Sequence, residues 1–213
     1  MHTILVANPK GGSGKTTLAT NVAGWLAGKK QPVAIADADP QHSATEWLSR
    51  RPPLFPPIAV WDPAIRRGSM GIPHWLVVDS PAGMHGEVLR DLMRRADVML
   101  VPVSPSAYDM AATQRFFAAI AEYKAVKQGT LPIGLIGMRV DARTHSAAEL
   151  DEFLRGFDLP VITALRDTQV YVHCAREGAS IFDLPRSRAE QDWDQWRPLT
   201  RWISRHALGA KAA

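Results

Sequence analysis

Apolar residues fall along this chain in short unbroken runs, each followed by a longer stretch in which they recur three or four positions apart. Runs at 3–7, 33–36, 75–78, 98–103, 133–137 and 161–164 predict strands. The longer spacing predicts helices over 14–28, 42–50, 85–95, 111–127, 146–157 and 188–206. Val98-Met99-Leu100-Val101 has no polar alternation, as suits a strand covered on both faces. Strand followed by helix along the whole length predicts right-handed βαβ crossovers. The expected fold is therefore α/β, a doubly wound, mainly parallel sheet with helices on both faces. No repeat or linker divides the chain, so residues 1–213 are expected to form one domain, and the proline-rich stretch 51–57 reads as a surface loop within it.

Composition narrows the class. A chain of 213 residues, 46% of them hydrophobic, is long enough to bury a sizeable core. Its one cysteine, Cys174, excludes an intramolecular disulfide framework or a cysteine-ligated iron–sulfur cluster held by one chain, and it suits a reducing cytoplasm. The apolar runs are too short to span a bilayer, and the N-terminal run lacks the basic flank of a signal peptide. Twenty-five Lys and Arg against 21 Asp and Glu leave a net charge of +4, which permits a polyanionic partner without demanding one.

The first strand–helix junction carries the chemistry. Between the apolar run Ile4-Leu5-Val6-Ala7 and the helical stretch from Leu18 lies Asn8-Pro9-Lys10-Gly11-Gly12-Ser13-Gly14-Lys15-Thr16-Thr17. A glycine-rich loop in that setting lets backbone N–H groups converge on phosphate oxygens, with the helix N-terminus adding its positive dipole end. Lys15 is expected to reach the β- and γ-phosphates of ATP and the Thr16 hydroxyl to ligate Mg²⁺. Where the standard P-loop has its first glycine this chain has Pro9, and a second lysine, Lys10, stands five residues before Lys15. The second strand ends in Asp37-Ala38-Asp39-Pro40-Gln41 and the third in Asp79-Ser80-Pro81-Ala82-Gly83. Carboxylates at the carboxyl ends of parallel strands face the P-loop, where one can orient a water and another can hold Mg²⁺.

These segments, in this order, resemble the ParA/MinD family of deviant Walker A ATPases, and the small plasmid-type ParA proteins such as ParF in particular. In that family the extra lysine, here Lys10, crosses a dimer interface to the partner's ATP. The resemblance implies that residues 10–17 (Lys10, Gly11, Gly12, Ser13, Gly14, Lys15, Thr16 and Thr17) cradle the nucleotide. It implies that Asp39 governs hydrolysis and that Thr16, Asp39 and Asp79 hold the Mg²⁺ ion. Val101-Pro102-Val103 and Gly137-Met138-Arg139 resemble the family's adenine-side strand ends, which places Pro102, Met138 and Arg139 near the base. The stretch from Phe182 to Arg188 resembles a DNA-binding turn; Arg186 and Arg188 lie in it, and Arg166 at the end of the last predicted strand is grouped with them.

The same resemblance implies a homodimer formed on ATP, non-specific binding to nucleoid DNA, and a cytoplasmic, nucleoid-associated protein. A ParB-like or ParG-like centromere-binding protein, or another cargo adaptor, is the implied stimulator of hydrolysis. The P-loop begins nine residues after Met1, leaving no room before it for a helix-turn-helix domain, so DNA contact is expected to be to phosphates and independent of sequence. At the C-terminus Trp196, Leu199, Trp202, Ile203 and Leu208 interleave with Arg197, Arg201 and Arg205. Such a helix can lie on a membrane, as MinD's does, or pack its apolar stripe on the sheet with arginines outward, and packing is the expectation adopted. A metabolic ligase of the same fold, activating a carboxylate with ATP, is the remaining reading.

Overall fold

The computed structural model describes residues 1–61 and 73–209, with side chains described as far as Ala207. Its strands are β1 (His2–Val6), β2 (Val33–Asp37), β3 (Ala59–Val60), β4 (Trp75–Asp79), β5 (Val98–Val103), β6 (Ile133–Val140) and β7 (Val161–Arg166). They form one parallel sheet in the order β3-β2-β4-β1-β5-β6-β7. The helices are α1 (Lys15–Gly28), α2 (Ser43–Ser49), α3 (Gly86–Arg95), α4 (Ala107–Ile120), α5 (Lys124–Lys127), α6 (His145–Arg155), α7 (Gln169–Arg176) and α8 (Arg186–Gly209), with a 3₁₀ turn at Ile181–Asp183.

Both faces of the sheet are buried, which is why its strands read as continuous apolar runs. Along β1, Ile4 and Val6 enter one core with α1, α2 and α8, while Leu5 and the adjoining Ala7 enter the other with α3, α4 and α6. The central strand is β1: on one side the chain lays down β2 and the edge strand β3 and then returns to set β4 against β1, and on the other it builds outward through β5, β6 and β7. That reversal beside β1 is where parallel sheets open a crevice at the carboxyl ends of their strands.

Several elements depart from the expected boundaries. The helix expected over 111–127 begins at Ala107 and stops at Ile120, with α5 as a separate turn. At the break, Tyr123 donates from its hydroxyl to the Gly86 carbonyl at 3.3 Å and lies under the Arg90 guanidinium, so a contact to α3 takes the chain out of the helix. Strand β3, with two residues, is too short for any periodicity to show. Helix α7 was not anticipated, although Thr168 is a legible N-cap and accepts from the Val170 N–H. Helix α8 starts at Arg186 with a non-helical residue, Ala189, inside its first turns. The stripe on α8 is core: Trp196, Leu199 and Ile203 are fully buried against the sheet, and Trp202 packs at the edge of the same cluster. The Leu208 side chain lies outside the described residues. No described helix is long and apolar enough to cross a membrane.

Candidate nucleotide-binding site

The loop between β1 and α1 is built by glycines and braced by one buried amide. Gly12 (φ 78°) and Gly14 (φ 96°) adopt left-handed backbone that a side chain would resist. Asn8, fully buried, donates from Nδ2 to the Pro102 carbonyl at 2.8 Å and to Thr113 Oγ1 at 3.1 Å. Its Oδ1 accepts from the Lys10 N–H at 2.9 Å, so β5 and α4 hold the start of the loop through one side chain. Sequence reading took Asn8 only as part of the motif. Gly14 is the N-cap of α1, and no side chain caps that helix. Its first-turn N–H groups thus remain open to an anion, as a phosphate site needs.

Lys15 is 6% exposed and donates from Nζ to the Lys10 carbonyl at 3.0 Å. Burial holds its ammonium below the ordinary lysine value; the carboxylates of Asp79, Asp39 and Asp109 oppose that shift and Lys10 adds to it. Lys10 is half-buried, and its Nζ lies 3.5 Å from the Gly11 carbonyl. The two lysines are therefore unequal, one sunk beneath the loop and the other at its rim.

Asp79 ends β4 at 1% exposure, and Thr16 donates from Oγ1 to its Oδ2 at 2.7 Å. Burial pushes its carboxyl up to about 7, with Asp37 and Asp39 adding to the shift and Thr16 and Lys15 resisting it. Its Oδ1 is buried without a partner, as is the Ser13 hydroxyl oxygen in the loop. An orphaned carboxylate oxygen beside a threonine hydroxyl and a phosphate cradle fits Mg²⁺, which prefers one or two protein oxygens plus substrate phosphates and water. Among the described residues no cluster of three or more His, Cys, Asp or Glu side chains is placed to hold a metal by itself, so nucleotide oxygens would have to complete the shell.

The two aspartates after β2 do different things. Asp37 accepts from the Asp39 N–H at 3.2 Å and from the Thr45 N–H at 2.8 Å, which ties down the turn into α2. Asp39 accepts from the Gln41 N–H at 2.9 Å and from the Ala82 N–H at 3.3 Å, linking the segments after β2 and β4.

A cavity of about 730 Å³ opens over these groups, within the range of small-molecule sites. Its floor is Gly11, Gly12, Gly14, Lys15, Thr16 and Thr17; Asp39 and Ala82 stand on one side and Met138 and Arg139 on another. The far wall, missed by sequence reading along with α7, is made by residues 165–168 and by Tyr171, Val172 and Ala175. Pro102, expected near the base, is buried in β5, and its carbonyl holds Asn8.

The three arginines grouped for DNA sit in unlike surroundings. Arg166 makes a bidentate pair with the fully buried Asp192, at 2.8 and 3.0 Å, and donates to Gln191 at 2.6 Å, so its charge is already engaged. Arg186 lies 3.8 Å from Asp194, whereas Arg188 is exposed and has no ion pair among the described residues. Arg166 and Arg188 do line one open hollow, but Glu190 and Asp194 line it with them.

Comparison with known proteins agrees with this geometry. The CobQ/CobB/MinD/ParA nucleotide binding domain matches residues 4–181. A maintenance of carboxysome distribution protein A from Halothiobacillus neapolitanus is 29% identical over 199 residues, which is 89% of this chain and 91% of that one. Among solved structures, a plasmid partition protein from Borrelia burgdorferi bound to AMPPNP superposes with a TM-score of 0.71 at 17% identity, covering 95% of this chain and 99% of that one. An ATP complex of Cyanothece McdA does so with a TM-score of 0.71 at 18% identity, over 98% and 96%. With the match spanning the sheet from β1 to the 3₁₀ turn, the chain belongs to the CobQ/CobB/MinD/ParA nucleotide-binding domain family and is a ParA/MinD-type ATPase.

Proposed function

We propose that this ATPase is a positioning protein of the ParA kind: ATP binding closes a homodimer, the dimer binds DNA without regard to sequence, and a partner stimulates hydrolysis to release it. The observation that carries this reading is the inequality of the two P-loop lysines. Lys15 is buried where it can neutralise the phosphates of its own nucleotide, and Lys10 stands at the rim where its ammonium can meet the nucleotide of a second copy. Asp39, lining the cavity and bonded to the Ala82 N–H, is placed to orient the attacking water and to pass the state of the phosphate to both strand-end segments. Thr16 and Asp79 hold Mg²⁺.

Arg186 and Arg188 supply phosphate contacts on each copy, few enough that useful affinity needs the doubled surface of the dimer. Arg166 acts behind them, fixing α8 through Asp192. The membrane-cycling reading loses its support, because Trp196 and Ile203, which it needs at the surface, are buried in the core and Trp202 packs against it. For cargo, a protein assembly is favoured over a plasmid. The Halothiobacillus and Gloeobacter proteins that match most of this chain's length are both named for carboxysome distribution, whereas the Rhizobium radiobacter ParA match covers 57% of it. The partner is then a cargo adaptor, with a ParB-like or ParG-like centromere-binding protein as the plasmid counterpart.

The test is co-sedimentation with non-specific duplex DNA in the presence of Mg²⁺ with ATP, ADP or no nucleotide, at rising salt. Binding should require ATP and fall steeply as salt rises. Equal binding in all three conditions, or none with ATP, rejects the proposal.

A further inference from the structure

The end of β6 grips the P-loop with two consecutive residues. Gly137 pairs with Ala164 and Val140 with Arg166, so three steps along β6 oppose two along β7, a β-bulge. The extra residue puts Arg139 at φ 54°, left-handed backbone that is costly for a long side chain such as arginine and found where surrounding structure imposes it. The bulge also sends neighbouring side chains to different places. Met138 is buried against Gly14, where an added Cβ would come within 2.8 Å of its Cε. Arg139 is exposed, and its Nη2 donates to the Gly12 carbonyl and, at 3.0 Å, to Ser104 Oγ just beyond the end of β5.

Gly12 needs such a tether and Gly14 does not. Gly12 is exposed, at φ 78°, with no atom within 4 Å of the place a Cβ would take, and its carbonyl is held by the Arg139 guanidinium. That carbonyl shares a planar trans peptide with the Ser13 N–H, and the two point in opposite directions. Holding one outward aims the other the opposite way. A carbonyl turned toward bound phosphates would repel them, whereas the N–H would add to the cradle.

We propose that Arg139 is a positioning residue of the P-loop: it holds the Gly12 carbonyl away from the phosphate oxygens and so keeps the Ser13 N–H available to them. The strain at Arg139 is retained because only a long cationic side chain at this bulge reaches both Gly12 and Ser104. This concerns nucleotide binding alone and does not depend on dimerisation, DNA or cargo.

Three variants test it. Arg139→Asn keeps a residue that tolerates left-handed backbone, Arg139→Gly removes the strain, and Arg139→Lys restores a cation. Calorimetry should show Mg²⁺–ATP binding weakened about tenfold or more by the Asn and Gly changes, the size expected when a charge-assisted hydrogen bond is lost, with part recovered by Lys. In steady-state assays KM should rise while kcat holds. Inorganic tripolyphosphate, competed against a fluorescent ATP analogue, should weaken by the same factor because it has no base. The ligand-free Tm of Arg139→Gly should equal or exceed that of the unaltered protein. Affinity within twofold of the unaltered protein in both variants overturns the proposal. So does a loss seen with ATP while tripolyphosphate is unaffected, which would make Arg139 a base contact. A fall in ligand-free Tm matching the affinity loss in both variants would make its role merely structural and would likewise overturn it.

Discussion

Asp79 is held in a state that suits the empty protein better than it suits Mg²⁺. Burial raises its pKa to about 7, above the ordinary carboxylate range. A raised carboxyl pKa contributes stability that is fully present at low pH and lost as pH rises through about 7. Mg²⁺ requires the ionised form, so its binding has the opposite dependence. Raising the pH from 6 to 8 should therefore lower the Tm of the ligand-free protein and strengthen Mg²⁺-dependent ATP binding by about tenfold, with proton release on binding. Asp79→Asn should remove the pH dependence that exceeds ATP's own titration. Calorimetry in two buffers of different ionisation enthalpy measures the released proton directly, and an unchanged proton count in Asp79→Asn would place the titrating group elsewhere. The Thr16 and Asp79 pairing was readable from residue order, because a P-loop followed by an apolar strand ending in Asp leaves few alternatives. Asn8 was not, since its role depends on Pro102 and Thr113, which lie 94 and 105 positions away.

At the scale of elements, α8 shows how a surface-looking sequence becomes core. Its tryptophans alternate with arginines, and periodicity alone admits either a membrane face or a packed stripe. Contact with the sheet decides it: Trp196 is fully buried and donates from Nε1 to the Tyr171 hydroxyl at 2.8 Å, and Tyr171 lines the nucleotide cavity. Trp196→Ala should cost about 3–5 kcal/mol, as expected for emptying an aromatic-sized space in a core. Denaturant unfolding would show this as a lower midpoint with an unchanged slope. Under the membrane reading the same variant would keep its stability and lose only affinity for anionic liposomes. α7 and β3 escaped sequence reading for a shared reason: short elements have too few positions to establish a period, and tertiary contacts stabilise them.

For the whole molecule, the expectation that matters most concerns what Lys10 meets. Its ammonium has only the Gly11 carbonyl, at 3.5 Å, as a hydrogen-bond partner among the described residues. Lys10→Ala should keep nucleotide binding near that of the unaltered protein but lose ATP-dependent dimerisation and most turnover. Light scattering with a non-hydrolysable ATP analogue checks the first, and phosphate release the second. A normal dimer with normal turnover would show that Lys10 is an ordinary solvated lysine.

The residue sequence by itself determined the doubly wound parallel sheet, the phosphate loop, and the order in which Lys15, Asp39 and Asp79 follow along the chain at strand ends. Those features depend on local pattern: apolar runs buried on two faces, glycines at a strand–helix junction, and acids at strand ends. Only the tertiary structure decided that the Pro102 carbonyl braces Asn8, that Arg166 is neutralised by Asp192, and that Arg139 reaches back across the P-loop to Gly12. Each of these rests on which side chains meet across distant strands and helices, and on a single-residue bulge in β6. Such meetings leave no periodic trace along the chain, because the partners lie 26 to 127 positions apart.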